Sequence, residues 1–121
     1  MRQLVADEPV AVGGRDAGPT PYDYLLAALG ACTSMTMRLY AERKQFKVDP
    51  FSIRLAHHEI HAQNCSDHET TDGTIGEITR DITIEGGVPE DQWARLMEIA
   101  GKCPVHQTLT HEIKIRSNLV S

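Results

Sequence analysis

The run Leu25-Leu26-Ala27-Ala28-Leu29-Gly30-Ala31-Cys32 constrains this chain more than any other segment. Helix signals precede it: Thr20 suits an N-cap, Pro21 the first helical position, and Asp23 places negative charge in the first turn. A helix apolar on every side has to be covered on every side. Polarity returns only at Arg38, Glu42, Arg43 and Lys44, so the helix is expected to end near Lys44, before Val48-Asp49-Pro50. The chain has 121 residues, enough for one domain spanning 1–121. One small sheet covers one side of such a helix. A second copy of the chain is expected to cover another, which predicts a homodimer.

The remaining elements follow from period and punctuation. Residues 3–12 read as a short strand interrupted near Pro9, then an extended tail, and Gly13 to Thr20 as a loop. Ser52 to His61 reads as a strand whose alternation slips before Ile60, which predicts a bulge. Ile78, Ile82 and Ile84 share one face of the next strand, closed by Gly86-Gly87. Pro89 opens a second helix with an apolar stripe at Trp93, Leu96, Met97 and Ala100, and Gly101 ends it; Trp93 and Met97 read as core. Cys103-Pro104 starts a short third helical turn, and Ile113, Ile115 and Leu119 predict a last strand. The order favours an antiparallel α+β domain.

Net charge is −5, from 12 basic and 17 acidic side chains, and no basic block is present. Nucleic acid is therefore a poor partner. No apolar run approaches a membrane span, and no signal pattern opens the chain, so a cytoplasmic protein with no membrane partner is expected. Three cysteines, Cys32, Cys65 and Cys103, are too few and too uneven for a secreted disulfide scaffold.

Cys32 lies mid-helix in apolar surroundings, where a free cysteine is most often a small hydrophobe. Cys103 precedes Pro104. With Pro104 at the first helical position, the thiol sits at a helix N-terminus, where backbone N–H groups favour a thiolate. Its plainer reading is a cap. His106, three residues on, is either a base beside that thiol or a solvated helix-end residue. His57, His58, His61, Cys65 and His68 form a local group of metal-ligand types, but follow no standard spacing. No metal and no other cofactor is expected.

Two motifs carry a resemblance. Asp7-Glu8-Pro9, Gly13-Gly14 and the run Gly18-Pro19-Thr20-Pro21-Tyr22-Asp23-Tyr24 through Cys32-Thr33-Ser34-Met35-Thr36 resemble the first cysteine motif of the OsmC/Ohr family, in the branch often fused to α/β-hydrolase domains. Lys102-Cys103-Pro104-Val105-His106-Gln107-Thr108-Leu109 resembles the second, with Gln107 where this branch usually has Arg. The resemblance implies an OsmC-like fold of antiparallel sheets around a buried central helix, in an intertwined homodimer. It also implies a peroxidatic Cys32 and a resolving Cys103, acting on a small organic peroxide with an external dithiol reductant.

The family's peroxidases activate the thiol with an Arg from an N-terminal hairpin and a Glu early in the central helix. Here the hairpin is expected to be shortened, Tyr22 stands where the Glu aligns with Asp23 beside it, and Arg15 lies outside the matching motif. Weak hydroperoxide reduction by Cys32 and Cys103 is thus one function class. A non-catalytic OsmC-like binding or accessory module is the alternative, and a metal-binding protein built on the histidine group a third.

Overall fold

The computed structural model describes residues 2–47, 51–61 and 73–120. A 3₁₀ turn at Val10–Val12 is followed by helix α1 (Pro21–Arg43), strands β1 (Phe51–His61) and β2 (Thr74–Ile84), helix α2 (Glu90–Ala100) and helix α3 (Pro104–Thr110). β1 and β2 form an antiparallel two-stranded sheet, giving the α+β architecture expected.

Helix α1 begins as its sequence dictates. The Thr20 side chain accepts from Asp23 N–H, the Asp23 carboxylate accepts from Thr20 N–H, and Pro21 takes the first position. This reciprocal capping satisfies two backbone donors that the helix itself cannot. Lys44 is the C-cap. Only one face of α1 is covered, however. Leu29, Gly30, Thr33, Met37, Tyr40 and Ala41 are buried, whereas Ala28, Ala31, Met35 and Leu39 form an exposed stripe at helical spacing. The expectation of burial all round fails for the single chain because its one sheet and α2 reach one side only. Cys32 lies at the margin of the two faces, half-buried.

The core joins Met37, Tyr40 and Ala41 of α1 to Leu96, Ile99 and Ala100 of α2, with Phe46, Phe51, Ile82 and Ile84 packed against them. At Gly30 an added Cβ would stand 2.8 Å from Leu55 Cδ1, so the missing side chain lets α1 lie close on β1. On α2 the buried stripe includes Ile99 and omits Met97, which is 40% exposed. Met97 is therefore not the core residue its spacing predicted. Trp93 is half-buried.

The sheet register is unbroken, from Phe51↔Ile84 to His61↔Thr74. The predicted bulge at Ile60 is absent. The alternation slips because Glu59, opposite Gly76, lies where the ribbon outruns the helix packed on it, and Ile60 pairs with Ile75 on the other face. Gly86 (φ 76°) and Gly87 (φ 68°) turn the chain out of β2 in the left-handed region that favours glycine.

Two predicted strands do not form. Residues 3–12 and 113–119 find no pairing partner within the described chain. The N-terminal segment is instead stapled to the loop before α1. The Asp7 carboxylate accepts from the N–H groups of Glu8, Arg15 and Ala17, which holds its pKa below the usual carboxylate value. Asp7 N–H donates to Pro19 O, and the Tyr24 hydroxyl donates to Val5 O. The crossing is so tight at Gly14 that a Cβ there would lie 1.9 Å from Glu8 O. Replacing Gly14 by Ala must displace backbone, so G14A is expected to cost about 1–3 kcal/mol, the range of forced overpacking. Denaturant unfolding at fixed protein concentration checks this, and an unchanged midpoint would refute the tight crossing.

Candidate active site

Cys103 is fully buried and caps α3. Its Sγ accepts the His106 N–H at 3.3 Å, and Pro104 occupies the first helical position, as the sequence indicated. Across from it on α1 lies Thr33, whose Oγ1 is 3.8 Å from the sulfur. Thr33 is the buried neighbour of Cys32 in sequence, so the packing of α3 on α1 brings both cysteine-bearing segments together. Both thiols are free.

The proton inventory around Thr33 is restrictive. A threonine hydroxyl has one proton and two lone pairs. Oγ1 donates to Leu29 O at 2.7 Å and accepts from Arg80 Nη1 at 3.0 Å. The remaining lone pair faces Cys103, so within this pair the S–H is the donor.

Arg80 is the residue that sequence reasoning missed. It sits on β2, paired with Leu55, on the face otherwise held by Ile78, Ile82 and Ile84. The signal was visible: an arginine interrupts an isoleucine face in phase. Its guanidinium reaches Thr33 Oγ1 with one nitrogen and His106 Nδ1, at 3.1 Å, with the other. Because arginine can only donate, His106 accepts at Nδ1 and carries its proton on Nε2. Burial holds the His106 pKa below its usual 6.5, and the positive charge of Arg80, then His111, lower it further. The ring is therefore neutral at neutral pH.

Folded His106 binds a proton less readily than the unfolded chain does. Unfolding then takes up a proton just below pH 6.5, and stability is expected to fall as pH drops through that window. In H106Q this fall should be shallower than in wild type between about pH 7.5 and about pH 5.5. Denaturant unfolding across that range measures it, and parallel profiles would refute the buried neutral ring.

The other candidates lie elsewhere. Tyr22 stacks on His57 of β1, with ring centroids 4.6 Å apart, and Gly76 leaves room beneath that imidazole. Asp23 is engaged in the α1 cap. Arg15 is exposed and contributes its backbone N–H to Asp7. His58 bonds Glu77 across the strands at 2.6 Å, on the face opposite His57. Among the described residues no three His, Cys, Asp or Glu side chains gather to hold a metal; Cys65 and His68 lie outside the described residues. No helix among the described residues is long and apolar enough to cross a membrane.

Arg80 and His106 also line a cavity of about 430 Å³, with Leu29, Ile78, Met97 and Leu109 as apolar walls.

A buried thiol capping a short helix, set against a central helix that bears a second thiol one position from the contact, defines an α+β protein with two free cysteines on packed helices. The family model for OsmC-like proteins matches residues 13–118, and the chain belongs to that family. A comparison with curated protein sequences gives no match. Among solved structures, a protein of Psychrobacter arcticus described as an osmotic stress induced and detoxification response protein superposes with a TM-score of 0.65 at 17% identity, covering 84% of this chain and 68% of that one. The organic hydroperoxide resistance protein OsmC of Legionella pneumophila gives 0.62 at 16% identity, covering 86% and 71%. The organic hydroperoxide resistance protein OhrB of Bacillus subtilis gives 0.60 at 17%, covering 84% and 68%. At such identities the likeness is one of fold.

Proposed function

We propose that this protein reduces small organic hydroperoxides with Cys32 and Cys103, as a homodimer. The observation that carries the reading is the buried Cys103 thiol facing Thr33, the neighbour of Cys32, with Arg80 and His106 behind it. Cys32, half-exposed, is the thiol that peroxide reaches first. Its thiolate attacks the O–O bond, the alkoxide leaves and takes a proton as the alcohol, and Cys32 becomes a sulfenic acid. Cys103 attacks that sulfur, and water leaves as the disulfide forms. An external dithiol then returns both thiols by exchange and is itself oxidised to a disulfide.

Turnover is slow in this reading. Tyr22 and Asp23 are committed to His57 and the α1 cap, so no carboxylate from that segment orients Arg80 toward Cys32. Each missing charge-assisted contact is worth roughly 1.5–3 kcal/mol, about one to two orders of magnitude in rate. Consumption of cumene hydroperoxide with excess dithiol tests the proposal. C32S should abolish it, and C103S should allow one turnover without recycling. Equal rates in wild type and C32S would overturn the assignment.

A second reading, an OsmC-like binding module without catalysis, is favoured by one observation: the residues lining the 430 Å³ cavity include neither Cys32 nor Cys103. Absence of any dithiol-dependent peroxide loss would select it.

The proposed homodimer rests on apolar surface the chain leaves open. Met35 (54%) and Leu39 (59%) on α1 are exposed, as are Ile115 (87%) and Leu119 (99%) in the C-terminal segment. Large apolar side chains left this exposed support an interface.

A further inference from the structure

Arg80 is half-buried on an apolar strand face, and its two bonded partners carry no negative charge. One is the Thr33 hydroxyl. The other is His106, neutral and accepting at Nδ1. No Asp or Glu among the described residues forms an ion pair with Arg80. Removing a guanidinium from water without a counter-charge is costly, and an arriving anion would offset that cost. The guanidinium has five N–H groups in a planar fork matched to carboxylate, and the Thr33 and His106 bonds leave donors free for a ligand. It lines the cavity of about 430 Å³, within the range of small-ligand sites, whose remaining walls include Leu29, Ile78, Met97 and Leu109. One cation, the polar side chains of His106 and Thr110, and four apolar walls fit a single negative charge on an apolar body.

We infer that this cavity binds a monocarboxylate with an unbranched apolar chain, its carboxylate on Arg80 and its chain along Leu29, Ile78, Met97 and Leu109. The site goes beyond the hydroperoxide reading, since occupancy requires no turnover and holds equally for a binding module. His106 reports on it. The ring meets Arg80 of β2, Thr33 binds the same guanidinium, Cys103 Sγ accepts the His106 N–H, and His111 follows at the end of α3. A carboxylate on Arg80 would offset the charge that lowers the His106 pKa.

Titration of the full chain with octanoate and with octanol tests the inference, by calorimetry and by the NMR signals of the Met97 methyl and the His106 ring. Octanoate should bind about ten- to a hundredfold more tightly than octanol, the worth of one charge-assisted contact. Octanoate alone should raise the pH at which His106 titrates. In R80M the preference should vanish, and in R80K part of it should remain. Equal binding of the two probes, no binding of octanoate, or an undiminished preference in folded R80M would each overturn the inference. If R80M does not fold, the wild-type comparison of the two probes decides. Peroxide turnover is measured separately, so its absence leaves this result standing.

Discussion

L96A is expected to lower the free energy of unfolding by about 2–5 kcal/mol, the range for emptying a fully buried leucine site. Leu96 has no exposed surface and packs in the cluster with Met37, Tyr40, Ala41, Ile99 and Ala100. The rim of that cluster is closed from another direction. Tyr40 accepts at its hydroxyl from Arg95 Nε at 3.0 Å, while Phe46 meets its ring edge-on at 5.9 Å. A cavity under Leu96 is thus hemmed in by groups with partners of their own, and collapse recovers little. The effect should reach the site as well. Ala100 ends α2, and its carbonyl accepts the Cys103 N–H, so loosening α2 loosens the cap of α3. Alkylation of Cys103 in native buffer should be faster in L96A than in wild type, measured in a C32S background to remove the other motif thiol. A stability loss below about 1 kcal/mol would place Leu96 outside the core, whatever its spacing.

The elements that were legible in the sequence are those whose stability is decided locally. Thr20, Pro21 and Asp23 specify the start of α1 because an N-terminus needs a side-chain acceptor and tolerates proline. Cys103-Pro104 marks the start of α3 for the same reason, and the isoleucines at 78, 82 and 84 mark one face of β2. What stayed hidden depends on distant partners. Residues 3–12 and 113–119 alternate as strands do, yet a strand is defined by what it pairs with, and within the described chain neither segment pairs with β1 or β2. Met97 obeys the helical stripe but lies where α2 borders the cavity instead of the core. Cys32 and Cys103 were legible as a candidate pair through their motifs. Arg80 was not, because an arginine inside an isoleucine alternation reads as a lapse in the pattern until α1 and α3 are seen to bring Thr33 and His106 to it. Conversely, Tyr22, Asp23 and Arg15 stood near the first motif in sequence, while the fold turns them to His57, to the helix cap and to the Asp7 loop.

Placing charges on the open face of α1 should have the other large effect. Met35 and Leu39 are one helical turn apart on a stripe shared with Ala28 and Ala31, and none of the four is covered within the chain. In the proposed homodimer this stripe is buried by the second copy, together with the apolar C-terminal segment around Ile115 and Leu119. Obligate dimers bury on the order of 2,000 Å² or more, largely apolar, so each subunit depends on its partner for stability. M35E/L39E would place four unpaired carboxylates in that interface, two from each copy. Burying an unpaired charge costs several kcal/mol, so association should weaken by at least about a thousandfold. If the fold depends on the dimer, the variant should be unfolded or aggregated at micromolar concentration. If it does not, the variant should sediment as a folded monomer. In wild type, the unfolding midpoint should rise with protein concentration, because association draws the equilibrium toward the folded pair. A wild-type protein that sediments as a stable monomer at micromolar concentration, with a midpoint independent of concentration, would sink the dimer. The stripe from Ala28 to Leu39 would then be solvent-exposed surface that the chain tolerates without a partner.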